Sequence, residues 1–286
     1  MTPLSIPYLT SRASHPGPDG EVRYTTELDA TTAGRCQVAA RIGDRTRSRF
    51  LEYTPAPVDA VLADFALDTG DELLVYVHGY NVSLERACRQ AALLALQTGF
   101  RDRVLLFSWP SSQAFVTYSK DARRLYASVP AIYAALHALA DRYGAGNVNV
   151  AAHSMGARLA IRSLEDLARP DEVFGELVLI APDVDRGQFI DRLPQLNEHV
   201  GGVTVLASDK DLLLLLSQVV NFAPRLGRSD QLSIDGVDLI DVTRDTGFWA
   251  GGHMYHLHDT GIGKMLRAAL GAEPVAEASD GHAPPR

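Results

Sequence analysis

Six short runs of mostly apolar residues recur along the chain, at 73–77, 104–107, 148–151, 177–180, 203–206 and 237–241. Such runs, each ending at small or polar residues, predict strands buried on both faces, as in a parallel sheet covered by helices. Between them lie stretches with apolar residues at helical spacing: 83–98, 119–143, 156–167, 211–220 and 263–270. Asn81 or Ser83 is placed to cap the first of these through a side-chain oxygen. Pro130 is expected to kink the second, because it removes a backbone donor in mid-helix. From about Glu21 onward the alternation of strand and helix predicts an α/β class, with a mostly parallel central sheet and helices on both faces.

Composition narrows the picture. The 286 residues are 46% hydrophobic and 22% charged, enough to build one α/β domain over residues 1–270. Residues 1–71 read as leading strands and loops of the same unit. The segment 271–286 has no apolar period and reads as a disordered tail. A net charge of −8 with no concentration of Lys and Arg argues against nucleic acid as a partner. The longest apolar run, around 212–216, is far shorter than the ~20 residues that cross a bilayer, so no integral membrane segment is expected. The first residues lack a basic start followed by an apolar stretch, which leads to the expectation of a cytoplasmic protein. Cys36 and Cys88 show no metal-ligand spacing and are expected to be reduced thiols.

Candidate chemistry begins at 148–160, a short apolar strand, a tight turn and a helix, with Ser154 at the apex. A strained strand-to-helix turn lifts a serine hydroxyl clear of the sheet, and small residues must flank it. Ala152 and Gly156 stand two positions to either side; Ala152 replaces the first glycine of the usual pattern and adds one methyl. The plainer reading is that Ser154 caps the following helix. For acyl transfer, backbone amides must face the developing oxyanion. Met155, at the helix start, and Tyr80, in the loop after 73–77, are the candidates, with Gly79 allowing close approach. His78 and His153 read as supporting groups near the substrate. Trp109, Tyr80 and the stretch 212–216 are candidates to line an apolar acyl pocket, against the alternative of ordinary core packing.

A serine nucleophile needs a histidine base and a carboxylate to orient it, in the chain order nucleophile, acid, histidine. The histidines after Ser154 are His199, His253, His256, His258 and His282. His253 follows two glycines in the loop 248–255 and is the best placed, with His256 and His258, nearer the start of the final helix, as close alternatives. Asp183 and Asp185 follow one strand, Asp209 and Asp211 another, and spacing does not separate them.

The motifs His78-Gly-Tyr-Asn81, Ser108-Trp-Pro-Ser111, His153-Ser-Met-Gly156, Ala181-Pro-Asp183, Ser208-Asp-Lys-Asp211 and Gly252-His-Met-Tyr255 together resemble the bacterial α/β-hydrolase family DUF900, from Tyr8-Leu-Thr-Ser-Arg12 to the final helix. The resemblance implies an α/β-hydrolase fold and esterase-like activity, and it selects Asp211 as acid and His253 as base. The leucine run after Asp211 departs from the family's pattern. The function expected is therefore a serine hydrolase that cleaves a small-molecule ester through an acyl-enzyme on Ser154, with no cofactor or metal. A thioesterase, amidase or acyltransferase on the same triad, or a non-catalytic binding protein with this fold, are the alternatives.

Overall fold

In the computed structural model, described for residues 1–18, 20–43, 46–67, 71–112, 118–165, 169, 171–229, 233–247 and 249–271, nine strands form one sheet in the order β3-β2-β1-β5-β4-β6-β7-β8-β9. They are β1 (Thr2–Pro16), β2 (Val22–Arg41), β3 (Arg47–Ala56), β4 (Leu73–Val77), β5 (Val104–Ser108), β6 (Val148–His153), β7 (Phe174–Ile180), β8 (Val200–Ala207) and β9 (Asp238–Asp241). β1 joins β5 in parallel, and every pair from there to β9 is parallel, while β1, β2 and β3 pair antiparallel.

β4, β5 and β6 are buried along their whole length, as their mostly apolar runs require. Alternate side chains feed two cores. Val75, Val77, Phe107, Val150 and Leu179 pack on one face beneath α1 (Val58–Leu62), α4 (Val129–Tyr143), α5 (Gly156–Glu165) and α6 (Arg186–Leu196). Leu74, Tyr76, Leu106, Ala151 and Ile180 pack on the other beneath α2 (Leu84–Thr98), α8 (Tyr255–His258) and α9 (Thr260–Ala269). Ser83 caps α2 by accepting from Arg86 N.

Several expectations are corrected. Strand–helix alternation starts at Val58, not near Glu21: β2 and β3 form an antiparallel ribbon, and the second half of β2 buries only alternate residues such as Cys36, Val38 and Ala40. The stretch 119–143 is two helices, α3 (Tyr118–Ala127) and α4, parted at Ser128. Pro130 sits in the first turn of α4, where its missing N–H costs no hydrogen bond, so the chain breaks there instead of kinking. α6, capped by Asp185 accepting from Gln188 N at 2.9 Å, is not predicted by the apolar pattern, which Pro194 interrupts. The proposed tail lies outside the described residues except for Gly271.

Cys36 and Cys88 are joined in a disulfide, not free as the sequence reading expects. β2 packs on α2, which brings the two Cα atoms to 6.4 Å across 52 residues of chain, within the range a disulfide spans. Among the described residues, no helix is long and apolar enough to cross a membrane.

Candidate active site

The sequence-selected residues gather at the carboxyl ends of the parallel strands. Ser154, between β6 and α5, adopts a left-handed backbone with φ 55°, a conformation that costs a non-glycine residue of order 1 kcal/mol or more. Neighbouring strands hold it there: Ser154 N donates to Ile180 O at 2.9 Å, and Ser154 O accepts from Asp183 N at 3.1 Å. The turn also abuts the loop after β4. A Cβ on Gly156 would overlap the His78 carbonyl, and one on Gly79 would lie 2.9 Å from Ser154 Cβ. Met155 is buried, and its N–H belongs to the first turn of a helix, where amides have no intrahelical acceptor.

The loop after β8 ends at Asp211, fully buried, which caps α7 (Leu212–Asn221) by accepting from Leu213 N and Leu214 N through Oδ1 at 3.0 Å. Its other oxygen, Oδ2, accepts from His253 Nδ1 at 2.6 Å. The remaining carboxylate candidates are occupied elsewhere. Asp183 binds Arg158 and Ser217, Asp185 caps α6, and Asp209 is largely exposed beside Arg228. The close approach of the His253 loop depends on Gly252, whose φ is 76° and whose Cβ would strike Lys210 O. Tyr255 anchors the same loop: its hydroxyl donates to Leu206 O at 2.9 Å and accepts from Ala181 N at 3.0 Å, tying it to the ends of β8 and β7.

Ser154, His153 and His253 line one cavity of about 520 Å³, together with Tyr80 and Met254 and with Leu213, Leu214, Leu216 and Val220 of α7. Among the described residues the Ser154 hydroxyl has no hydrogen-bond partner, neither His253 nor an α5 amide. Trp109 and His78 are not part of that lining. Both are fully buried, stacked with ring centroids 5.5 Å apart, and Trp109 Nε1 donates to His78 O at 2.9 Å. The expectation that they meet substrate is thus corrected: an aromatic beside a strand end serves here as support for the loop.

The reason for that support is a chain of bonds starting at Arg12, a residue to which the sequence pattern assigns no role. Its guanidinium is 2% exposed and donates to Val82 O, Thr25 O and Ser111 O, while Nε donates to Ser108 Oγ at 3.1 Å. Because His78 Nδ1 meets the Gly79 carbonyl at 2.8 Å, Nδ1 carries the proton, and Nε2 accepts from Ser108 Oγ at 2.9 Å. Burial pulls the Arg12 guanidinium down to about 10 and His78 down to about 3. The sequence carries little signal for this role, since β1 mixes Thr, Ser and His with its apolar residues around Arg12.

By the same logic His153 Nε2 donates to the carbonyl of His253 at 3.1 Å. Its ring lies 4.6 Å from that of His253 and 4.4 Å from that of His256. Burial keeps His153 well below the usual histidine range and takes His256 to about 3, so both are neutral at pH 7. Among the described residues no group of three His, Cys, Asp or Glu side chains is arranged to hold a metal ion.

A model of the family described as alpha/beta hydrolase of unknown function (DUF900) matches residues 57–263. Among solved structures, the chain is similar to an esterase of Pyrobaculum calidifontis at 13% identity and TM-score 0.41, over 91% of this chain and 85% of that one. An esterase of Pyrococcus furiosus shares 14% identity at TM-score 0.42, over 86% and 87% of the two chains. A cold-adapted esterase from an Arctic intertidal metagenomic library shares 15% at TM-score 0.43, over 83% and 94%. No curated protein matches the sequence.

Proposed function

Because the chain belongs to the DUF900 family of alpha/beta hydrolases, we propose that it is a serine hydrolase that cleaves carboxylic esters at the Ser154 cavity. Ser154 Oγ attacks the ester carbonyl while His253 Nε2 takes its proton. Asp211, bonded to His253 Nδ1, holds the tautomer and stabilises the imidazolium that forms. The N–H groups of Met155 and Tyr80 receive the oxyanion. His253 then returns the proton to the leaving alcohol, and water repeats the cycle on the acyl-enzyme. These steps call for no metal or organic cofactor.

The observation that carries this reading is the 2.6 Å bond from His253 to a buried Asp211, on the wall of the cavity that also holds Ser154 in its strained turn. Serine–histidine bonds are often loose in the free enzyme and tighten on substrate, so a shared cavity is the geometry the mechanism needs. Purified protein should release nitrophenol from acyl nitrophenyl esters, with Ser154→Ala lowering kcat at least ~10⁴-fold. A fluorophosphonate probe should label the wild type alone. Equal turnover by the two proteins would refute the proposal, and parallel thioester and amide substrates fix the acyl class.

A further inference from the structure

Helix α7 runs Leu-Leu-Leu-Leu-Leu-Ser-Gln-Val-Val-Asn, and only Leu214 is buried. Leu213, Leu216 and Val220 line the Ser154 cavity and are 38%, 56% and 59% exposed, and Leu212, Leu215 and Val219 lie outside it and are 54%, 42% and 62% exposed. The residue that closes the helix is Phe222, at φ 52° and 94% exposed. Glycine or asparagine is the usual occupant of a left-handed helix end, because a larger side chain is strained there. A phenyl ring at that point gives the fold neither packing nor backbone ease.

From this we infer that the outer face of α7 docks on an uncharged lipid surface and that the substrate is a long-chain acyl ester drawn from it. The inference rests on the esterase reading for its substrate and on the helix alone for its surface. Charge selects the occupant. Residues 212–223 contain no charged side chain, while the whole chain carries −8, so an anionic surface repels the protein and an uncharged one matches the face. A ten-residue helix is about 15 Å long and 10 Å wide. Its outer strip falls short of the roughly 800 Å² per partner of a stable dimer, but suits shallow insertion of apolar side chains below headgroups. Leu213 and Leu216, on the face about 100° round the helix from Leu212 and Leu215, wall the cavity beside Ser154, so an acyl chain leaving the lipid meets apolar side chains up to the nucleophile.

The test is sedimentation of the full chain, carrying Ser154→Ala to prevent turnover, with phosphatidylcholine vesicles. Binding is expected, with no gain when part of the lipid is replaced by phosphatidylserine. Phe222→Gly should weaken binding about tenfold or more, the loss of one buried aromatic side chain, while its Tm holds or rises. Val219→Glu should weaken it as well. In the Ser154 background, Phe222→Gly should lower hydrolysis of an emulsified long-chain ester relative to a dissolved short-chain one. Absent vesicle binding, or binding unmoved by both substitutions, overturns the surface, as does a dimer in solution that Phe222→Gly dissociates. Failed hydrolysis with vesicle binding intact overturns the esterase reading and supports the surface.

Discussion

Asp211 uses its two carboxylate oxygens for different partners: Oδ2 accepts a hydrogen bond from His253 Nδ1, and Oδ1 closes the first turn of the leucine-rich helix α7. The side chain is fully buried, so neither bond is shared with solvent. One residue therefore fixes the orientation of the proposed base and the start of the helix that walls the Ser154 cavity.

Asp211→Asn separates these duties. The amide oxygen can still accept from Leu213 N and Leu214 N, but its NH2 then faces Nδ1 and favours the wrong imidazole tautomer. Ester hydrolysis should fall about 10³- to 10⁴-fold, of the order seen when a triad carboxylate is made neutral. Asp211→Ala should lose the cap as well, at a cost of about 1 kcal/mol more stability. Steady-state kinetics beside urea unfolding of the two variants checks this, and equal kcat for Asp211→Asn and wild type would remove Asp211 from the reaction.

Three buried histidines, His78, His153 and His256, are held neutral by desolvation. Their folded pKa values lie below the ~6.5 of an unfolded histidine, so on acidification the unfolded chain binds protons first. The stability that depends on them is complete above about pH 6.5 and is lost as the pH falls toward 3, by about 1.4 kcal/mol per pH unit for each ring. Among the described residues neither ring nitrogen of His256 has a hydrogen-bond partner, so an apolar replacement abandons no bond there. His256→Leu should match wild type near pH 7 and exceed it by about 2 kcal/mol at pH 5 in urea titrations. Parallel stability curves for the two proteins from pH 7 to 5 would exclude the effect.

The Cys36–Cys88 bond closes 52 residues of chain, for which the loop-entropy model gives about 4 kcal/mol of stabilisation. Reduction under native conditions, or Cys88→Ala, should lower the Tm by about 10 °C, a protein of this size shifting by roughly 2–4 °C per kcal/mol. Thiol alkylation followed by mass measurement on protein taken from its own cells reports the bond directly. Such bonds persist where thiols are oxidised, which sets the bridge against the cytoplasmic expectation. A fully alkylated protein in a reducing compartment decides for the latter.

What the sequence makes legible is local. The strand, turn and helix around Ser154 sit within 13 consecutive residues, and the backbone adopts the strained turn that this pattern implies. The choice of Asp211 among four carboxylates rests on the resemblance alone at that stage, because spacing treats them alike. In space their neighbours differ, with Arg158 holding Asp183 and Arg228 near Asp209. Arg12 and the Cys36–Cys88 pair are illegible for a common reason. Each depends on β1 or β2 packing beside elements 52 or more residues away, and no local period records that. Trp109 misleads in the opposite sense, since an aromatic at a strand end fits a pocket wall as well as it fits a buried prop.

The bond from His153 Nε2 to the carbonyl of His253 joins positions 100 residues apart in the chain. A shift of the loop after Gly252 pulls on that bond, and the ring that donates it belongs to the residue directly before Ser154, the proposed nucleophile. The groups proposed as proton acceptor and nucleophile are therefore tied to each other through one ring and one backbone carbonyl, a link that two independently hung side chains would lack.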